Sequence, residues 1–208
     1  GACIPCPGLV TDHTRPWPQT SCGTQKLMLE YRVADCTRKG YSAGRSARLM
    51  TLTVRPGKPN GAASSFFRGI IREPLAGVES ICPVDASVSH PVSSPGNTVK
   101  GLITVFEASR DDLKGRLALN LPGLNVKVSD MLQALEAVGG PAVRQRVRFE
   151  RNEQVAGIVA NWSRGSTAER AHALGLRPDA SFEAIIEQYI EDCQGPGYPA
   201  DALKGLVR

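Results

Sequence analysis

The 208-residue chain has few aromatic residues (5%), only three histidines, and no apolar run of 18 residues. The last absence excludes a hydropathy-defined transmembrane helix, and no cationic leader with an apolar centre is visible. The net charge of +5, from 25 basic and 20 acidic residues, is spread without a block of five or six like charges. With so few rings among the cations, neither duplex nor single-stranded nucleic acid is an expected partner. The six cysteines (3, 6, 22, 36, 82 and 193) form no disulfide framework. Cys3 and Cys6 are the only close pair, and no second pair or histidine pair stands at zinc spacing, so no metal site is expected. Free thiols without a leader point to the cytoplasm.

What is there suits a globular fold: 41% of the residues are apolar and 22% charged, as in ordinary soluble domains. The length allows one large domain or two small ones. The chain does not open on methionine, and its proline-rich first twenty residues read as a loop that runs straight into a helix. The expectation is that a further segment precedes it.

The chain is organised around Thr20-Ser21-Cys22-Gly23-Thr24-Gln25-Lys26, which opens a helix expected over 21–39 and closed by Gly40. Cys22, Lys26, Leu29, Val33 and Cys36 recur at helical steps and share one face. A thiol and an amine therefore stand one turn apart, at the head of a stripe that looks made for burial. The plain alternative is a buried cysteine beside a surface lysine.

Residues 47–54, mostly apolar and β-branched, read as a buried strand, and Arg55-Pro56-Gly57-Lys58-Pro59-Asn60 breaks it abruptly. A loop just after a strand's carboxyl end is where open α/β sheets bind ligands. Arg55 and Lys58 give this loop two cations, and Ser64 and Ser65 follow as hydroxyl donors; the competing reading is a turn that is basic because it is solvated. Further helices are expected at 63–72, 97–109, 129–138, 153–161, 167–174 and 181–192. The apolar side of the second carries Val99, Leu102, Ile103 and Phe106, and Ser129 caps the third. Short strands are expected at 80–83, 88–92, 116–121 and 147–150. His90, in one of them, reads as structural. The glycines and prolines after Gln194 suggest a loose tail.

The stretch Pro18-Gln19-Thr20-Ser21-Cys22-Gly23-Thr24-Gln25-Lys26 resembles the active-site helix of extended short-chain dehydrogenases, in the NAD-dependent epimerase/dehydratase family. More narrowly, it is similar to the D-erythronate dehydrogenase group within that family. The likeness continues through residues 55–60, 62–66, 69–75, 93–95, 119–124 and 189–192, nearly the whole chain. It implies an α/β fold: the C-terminal portion of a Rossmann-like, doubly wound parallel sheet, with a smaller α+β substrate-binding region. On that reading residues 1–78 are the remainder of the Rossmann-like domain, 79–194 the substrate-binding region and closing helices, and 195–208 the tail.

The resemblance also implies the chemistry: oxidation of D-erythronate, a four-carbon sugar acid, to its 2-keto acid, with NAD as cofactor. A family tyrosine acts as base, and a lysine four residues later holds the nicotinamide ribose and lowers the tyrosine's pKa. Here Lys26 occupies the lysine position and Cys22 the tyrosine position. Leu49 and Thr51 fall on the strand that lines the nicotinamide. Arg55, Lys58, Asn60, Ser64 and Ser65 fall where a sugar acid is bound. The family's glycine-rich phosphate loop is not in this sequence, the arginine expected after Ser-Pro is Gly96, and Met50 replaces a proline. The alternative is a catalytically inactive relative serving as a binding or dimerisation module, since family members pair through this helix, here 21–39. NAD is not an expected ligand of this stretch by itself.

Overall fold

The computed structural model describes residues 8–55, 63–113 and 118–206. Strand β1 is Leu9–Val10 and helix α1 is Ser21–Arg38. The Thr20 hydroxyl accepts from the Gly23 N–H at 3.1 Å, a side-chain cap for the first turn. Two short strands follow, β2 (Ser46–Arg48) and β3 (Thr51–Leu52). One 3₁₀ turn at Ala63–Ser65 then feeds α2 (Phe66–Leu75), and β4 is Ser80–Cys82. β5 (Ser89–Ser93), α3 (Pro95–Glu107), β6 (Ala118–Asn120) and β7 (Leu124–Lys127) come next. The chain continues through α4 (Val128–Gly139), α5 (Pro141–Arg144), β8 (Val147–Phe149) and α6 (Glu153–Ala160). It closes with β9 (Gly165–Ser166), α7 (Glu169–Ala173) and α8 (Phe182–Cys193).

Among the described residues the strand pairs β1–β9, β2–β6, β3–β5 and β4–β8 are parallel, and only β5–β7 is antiparallel. This is the α/β fold expected. The pairs β2–β6 and β3–β5 join residues on either side of position 78. The main core forms where α2 and α4 meet and α4 meets α8. Phe67, Ile70 and Ile71 of α2, Met131 and Leu135 of α4, and Ile185 and Ile186 of α8 are fully buried there. A second core gathers Val105, Leu119, Leu121, Ala171 and Leu176.

Four expectations are corrected. The strand over 47–54 is two strands, because its halves have different partners. The Leu121 N–H donates to the Arg48 carbonyl at 3.0 Å, and the Thr53 N–H to the Ser93 carbonyl at 3.0 Å. Between them Met50 turns aside, its Sδ accepting from the Ser166 hydroxyl at 3.3 Å. A Cβ on Gly123 would lie 2.5 Å from the Met50 Cγ, so this crossing needs glycine.

The second correction concerns α3. Its apolar stripe faces outward: Val99, Leu102, Ile103 and Phe106 are exposed, and Thr98, Gly101 and Val105 are buried. Gly101 turns inward because Leu121 fills the space a Cβ would take, at 2.8 Å. Thirdly, Ser129 is not the cap of α4; the helix starts one residue earlier, with the Lys127 N–H donating to Asp130. Finally, the expected loose tail is packed as far as Leu206. The Gly205 N–H donates to the Leu75 carbonyl at 2.8 Å, and Tyr198, Leu203 and Leu206 lie against the main core.

Candidate functional site

Helix α1 brings Cys22 and Lys26 to the surface one turn apart, both exposed. The stripe below them is not buried, contrary to expectation. Leu29 is 53% exposed and Val33 and Cys36 are half-buried; beside the stripe Met28 and Tyr31 are 65% exposed, and Gly23 is the only buried residue of the helix. The middle of α1 is tied by Glu30, whose carboxylate accepts two bonds from Arg48 at 2.9 and 2.7 Å. Its last turns are held by the Thr37 hydroxyl, which donates to the Val33 and Gly44 carbonyls.

Leu49, between β2 and β3, is 45% exposed. Thr51 does something the sequence did not announce: its hydroxyl lies 2.7 Å from Nε2 of buried His90. The other ring nitrogen, Nδ1, faces the Ser163 carbonyl at 3.2 Å. A carbonyl only accepts, so Nδ1 carries the proton and Nε2 accepts from Thr51. Burial pushes the His90 pKa down to about 4, against the raising effect of the Ser163 bond, so the ring is neutral at physiological pH. Phe67 stacks on it at 5.1 Å, with Trp162 at 5.2 Å on a tilt. Thr53 donates to the Phe67 carbonyl at 3.1 Å. The head of α2 is thus fastened to the strand that carries Thr51.

Arg55 is exposed at the end of that strand, and its carbonyl accepts from Arg72 of α2 at 3.5 Å. Ser64 and Ser65 lie half-buried in the 3₁₀ turn before α2. Lys58 and Asn60 fall outside the described residues. Gly96, at the start of α3, lies beside Gln188, whose Nε2 would be 2.5 Å from an added Cβ. The same helix start holds an arrangement that sequence reasoning missed. Asp179 accepts from the Ser94 N–H at 3.0 Å and from its hydroxyl at 2.6 Å, and so fastens the β5–α3 junction to the segment before α8. Separation by 85 residues hid it from any local pattern.

The donor set fits one end of a dinucleotide. Lys26 presents an exposed ammonium, a suitable donor to ribose hydroxyls, one turn from the exposed thiol of Cys22. The pyrophosphate end is different. A dinucleotide-binding turn places glycines between a strand and the helix it opens. Among the described residues the positive-φ glycines are Gly40, Gly77, Gly140, Gly175 and Gly197, and none of them joins a strand to a following helix. The described residues also hold no group of three metal-ligating side chains, and no helix long and apolar enough to cross a membrane.

No family model matches the sequence. It is 46% identical over 186 residues to the D-erythronate dehydrogenase of Cupriavidus necator, covering 89% of this chain and 57% of that protein. It is 40% identical over 185 residues to the Haemophilus influenzae enzyme of the same name, covering 89% and 59%. The chain therefore spans somewhat more than half the length of these curated relatives. Among solved structures, a nucleoside-diphosphate-sugar epimerase from Agrobacterium tumefaciens superposes with a TM-score of 0.85 at 39% identity, over 88% of this chain and 54% of that one. The L-threonine 3-dehydrogenase of Trypanosoma brucei, at 20% identity, shares the fold with a TM-score of 0.82, over 95% and 62%. By sequence and by fold alike, the chain is similar over most of its length to D-erythronate dehydrogenases and to a nucleoside-diphosphate-sugar epimerase, a likeness consistent with the epimerase/dehydratase family.

Proposed function

We propose that the chain supplies the catalytic helix and substrate region of an NAD-dependent dehydrogenase acting on a four-carbon sugar acid such as D-erythronate, with Cys22 standing where the base belongs. One observation carries the reading. Lys26 stands exposed at the head of α1, one turn beyond that position, in a chain 46% identical to a D-erythronate dehydrogenase over most of its length. When bound, NAD supplies the hydride acceptor.

The chain's own residues then divide the remaining work. Lys26 holds the nicotinamide ribose, and Leu49 and Thr51 line the nicotinamide. Arg55, Lys58, Asn60, Ser64 and Ser65 face the substrate acid. The proton of the reacting hydroxyl needs an acceptor within about 2.6–3.2 Å. A thiol on one methylene reaches several ångströms less far than a phenol on its ring, so Cys22 falls short of that oxygen. The cofactor and substrate contacts are kept, and proton transfer is the step that fails.

The exposed Met28, Leu29 and Tyr31 of α1 favour a second reading, a catalytically inactive relative that uses this helix as a contact surface for a second copy. One experiment separates the two. The chain is joined to the dinucleotide-binding half of a relative, with Cys22 or with Cys22→Tyr, and NADH formation from D-erythronate is followed. The dehydrogenase reading expects the tyrosine version to be at least about a hundredfold faster, the lower end of what a positioned base contributes. Equal rates, with NAD bound by both, would leave the contact-module reading.

A further inference from the structure

Between Asp35 and Glu73 the sequence carries eight cationic side chains and no acidic one. Most of these cations are committed to partners. Arg38 and Lys39 pair with Asp35, and Arg48 with Glu30. Arg45 donates to the Ala43 and Ala108 carbonyls. Arg72 pairs with Glu73. Arg55 and Arg68 have no carboxylate partner among the described residues, and the loop between them adds Lys58 and no acid.

Arg72 stands near both of these cations. Arg68 and Arg72 are four residues apart on α2, hence on one face, and Arg72 reaches the carbonyl of Arg55. Arg68 is half-buried and Arg72 largely buried. Burial pushes the Arg68 guanidinium down from its ordinary range, and the charges of Arg55 and Arg72 act in the same direction. Among the described residues the carboxylate acting on it is Glu73, one oxygen of which pairs with Arg72. A partly desolvated guanidinium beside two others is an unfavourable arrangement until an anion joins it, and its planar fork matches a carboxylate. The corner lies next to the candidate site, because Phe67, the residue before Arg68, stacks on the histidine that holds Thr51.

We infer that Arg68, with Arg55 beside it and Arg72 behind, is the corner that binds the substrate's carboxylate and selects an acid over a neutral polyol. The inference rests on the sugar-acid reading above and names the residue that enforces it. Arg68 binds substrate and takes no part in proton transfer.

The test is a calorimetric titration of the chain with D-erythronate and, separately, with erythritol, the polyol without the carboxylate. Wild type, Arg68→Gln and Arg68→Lys are compared, with circular dichroism confirming that each variant is folded. The wild type should bind D-erythronate and discriminate against erythritol. Arg68→Gln should bind D-erythronate at least about tenfold more weakly, the loss expected for one charge-assisted hydrogen bond, with erythritol unaffected. Arg68→Lys, which keeps the charge and loses the fork, should fall between. Unchanged D-erythronate binding in Arg68→Gln, equal binding of acid and polyol by the wild type, or no binding of D-erythronate at all would overturn the inference.

The fused Cys22→Tyr protein distinguishes the two levels of the argument. There Arg68→Gln should raise the KM for D-erythronate and leave kcat nearly as it was. Oxidation of D-erythronate with an unchanged KM would defeat the anion corner and leave the dehydrogenase reading standing. Arg68-dependent binding in a fused protein that forms no NADH would do the reverse.

Discussion

At the scale of single residues, the candidate site pairs an exposed lysine with an exposed thiol. Lys26 and Cys22 are where their helical spacing puts them, exposed and one turn apart. That pair was legible because a four-residue step on a helix is a local fact. His90 was read as structural from its isolation. Its partner Thr51 was invisible, because the bond spans 39 residues. The histidine gives a pH dependence whose sign follows from its lowered pKa. The unfolded chain takes up a proton near pH 6.5, whereas the folded chain keeps the ring neutral down to about 4. Stability is fully present above the unfolded value and falls as pH drops through that window, by up to about 3 kcal/mol at the lower end. Urea denaturation across the window should show this decline, and His90→Gln, which gains no proton, should flatten it. An identical slope in the variant would mean that other groups cause the acid sensitivity.

The secondary-structure elements were easier to place than to orient. Helix periodicity located α1, α3, α4 and α8, since amphipathic spacing is written into adjacent residues. Which face is covered depends on what packs there. Leu121 against Gly101 turns the apolar stripe of α3 outward, and no pattern within 95–107 announces that contact. The run at 47–54 failed for a similar reason: composition suggested one strand, and two partners divide it. Besides the Glu30–Arg48 pair in its middle, α1 is held by contacts near its end, and one of them is tight. A Cβ on Gly44 would lie 2.6 Å from the Val33 Cγ1 and 3.1 Å from the Thr37 Oγ1. Gly44→Val should therefore lift the last turns of α1 and cost about 1–3 kcal/mol. Hydrogen exchange should show faster opening of residues 33–38, with the α2–α4–α8 core unchanged. Wild-type protection of those amides would show that the helix is held elsewhere.

For the molecule as a whole, the fold class was legible because a family pattern runs along nearly its full length, whereas the packed tail at 198–206 was not. Glycine and proline there resembled a loose end. Instead Gly205 fits so closely against the Pro74 carbonyl and Gly77 that a Cβ would lie 2.4 Å from that oxygen. The central claim is one of division. On the proposed reading Lys26 contacts the nicotinamide ribose and Arg68 the substrate acid, while none of the described positive-φ glycines offers a turn for the pyrophosphate. Calorimetric titration of NAD tests this most directly, into the chain alone and into the chain joined to a relative's dinucleotide-binding half. The account predicts no measurable binding to the chain alone, and binding to the joined protein that weakens when Lys26 is changed to Met. A micromolar dissociation constant for the isolated chain, or a joined protein indifferent to Lys26→Met, would contradict it.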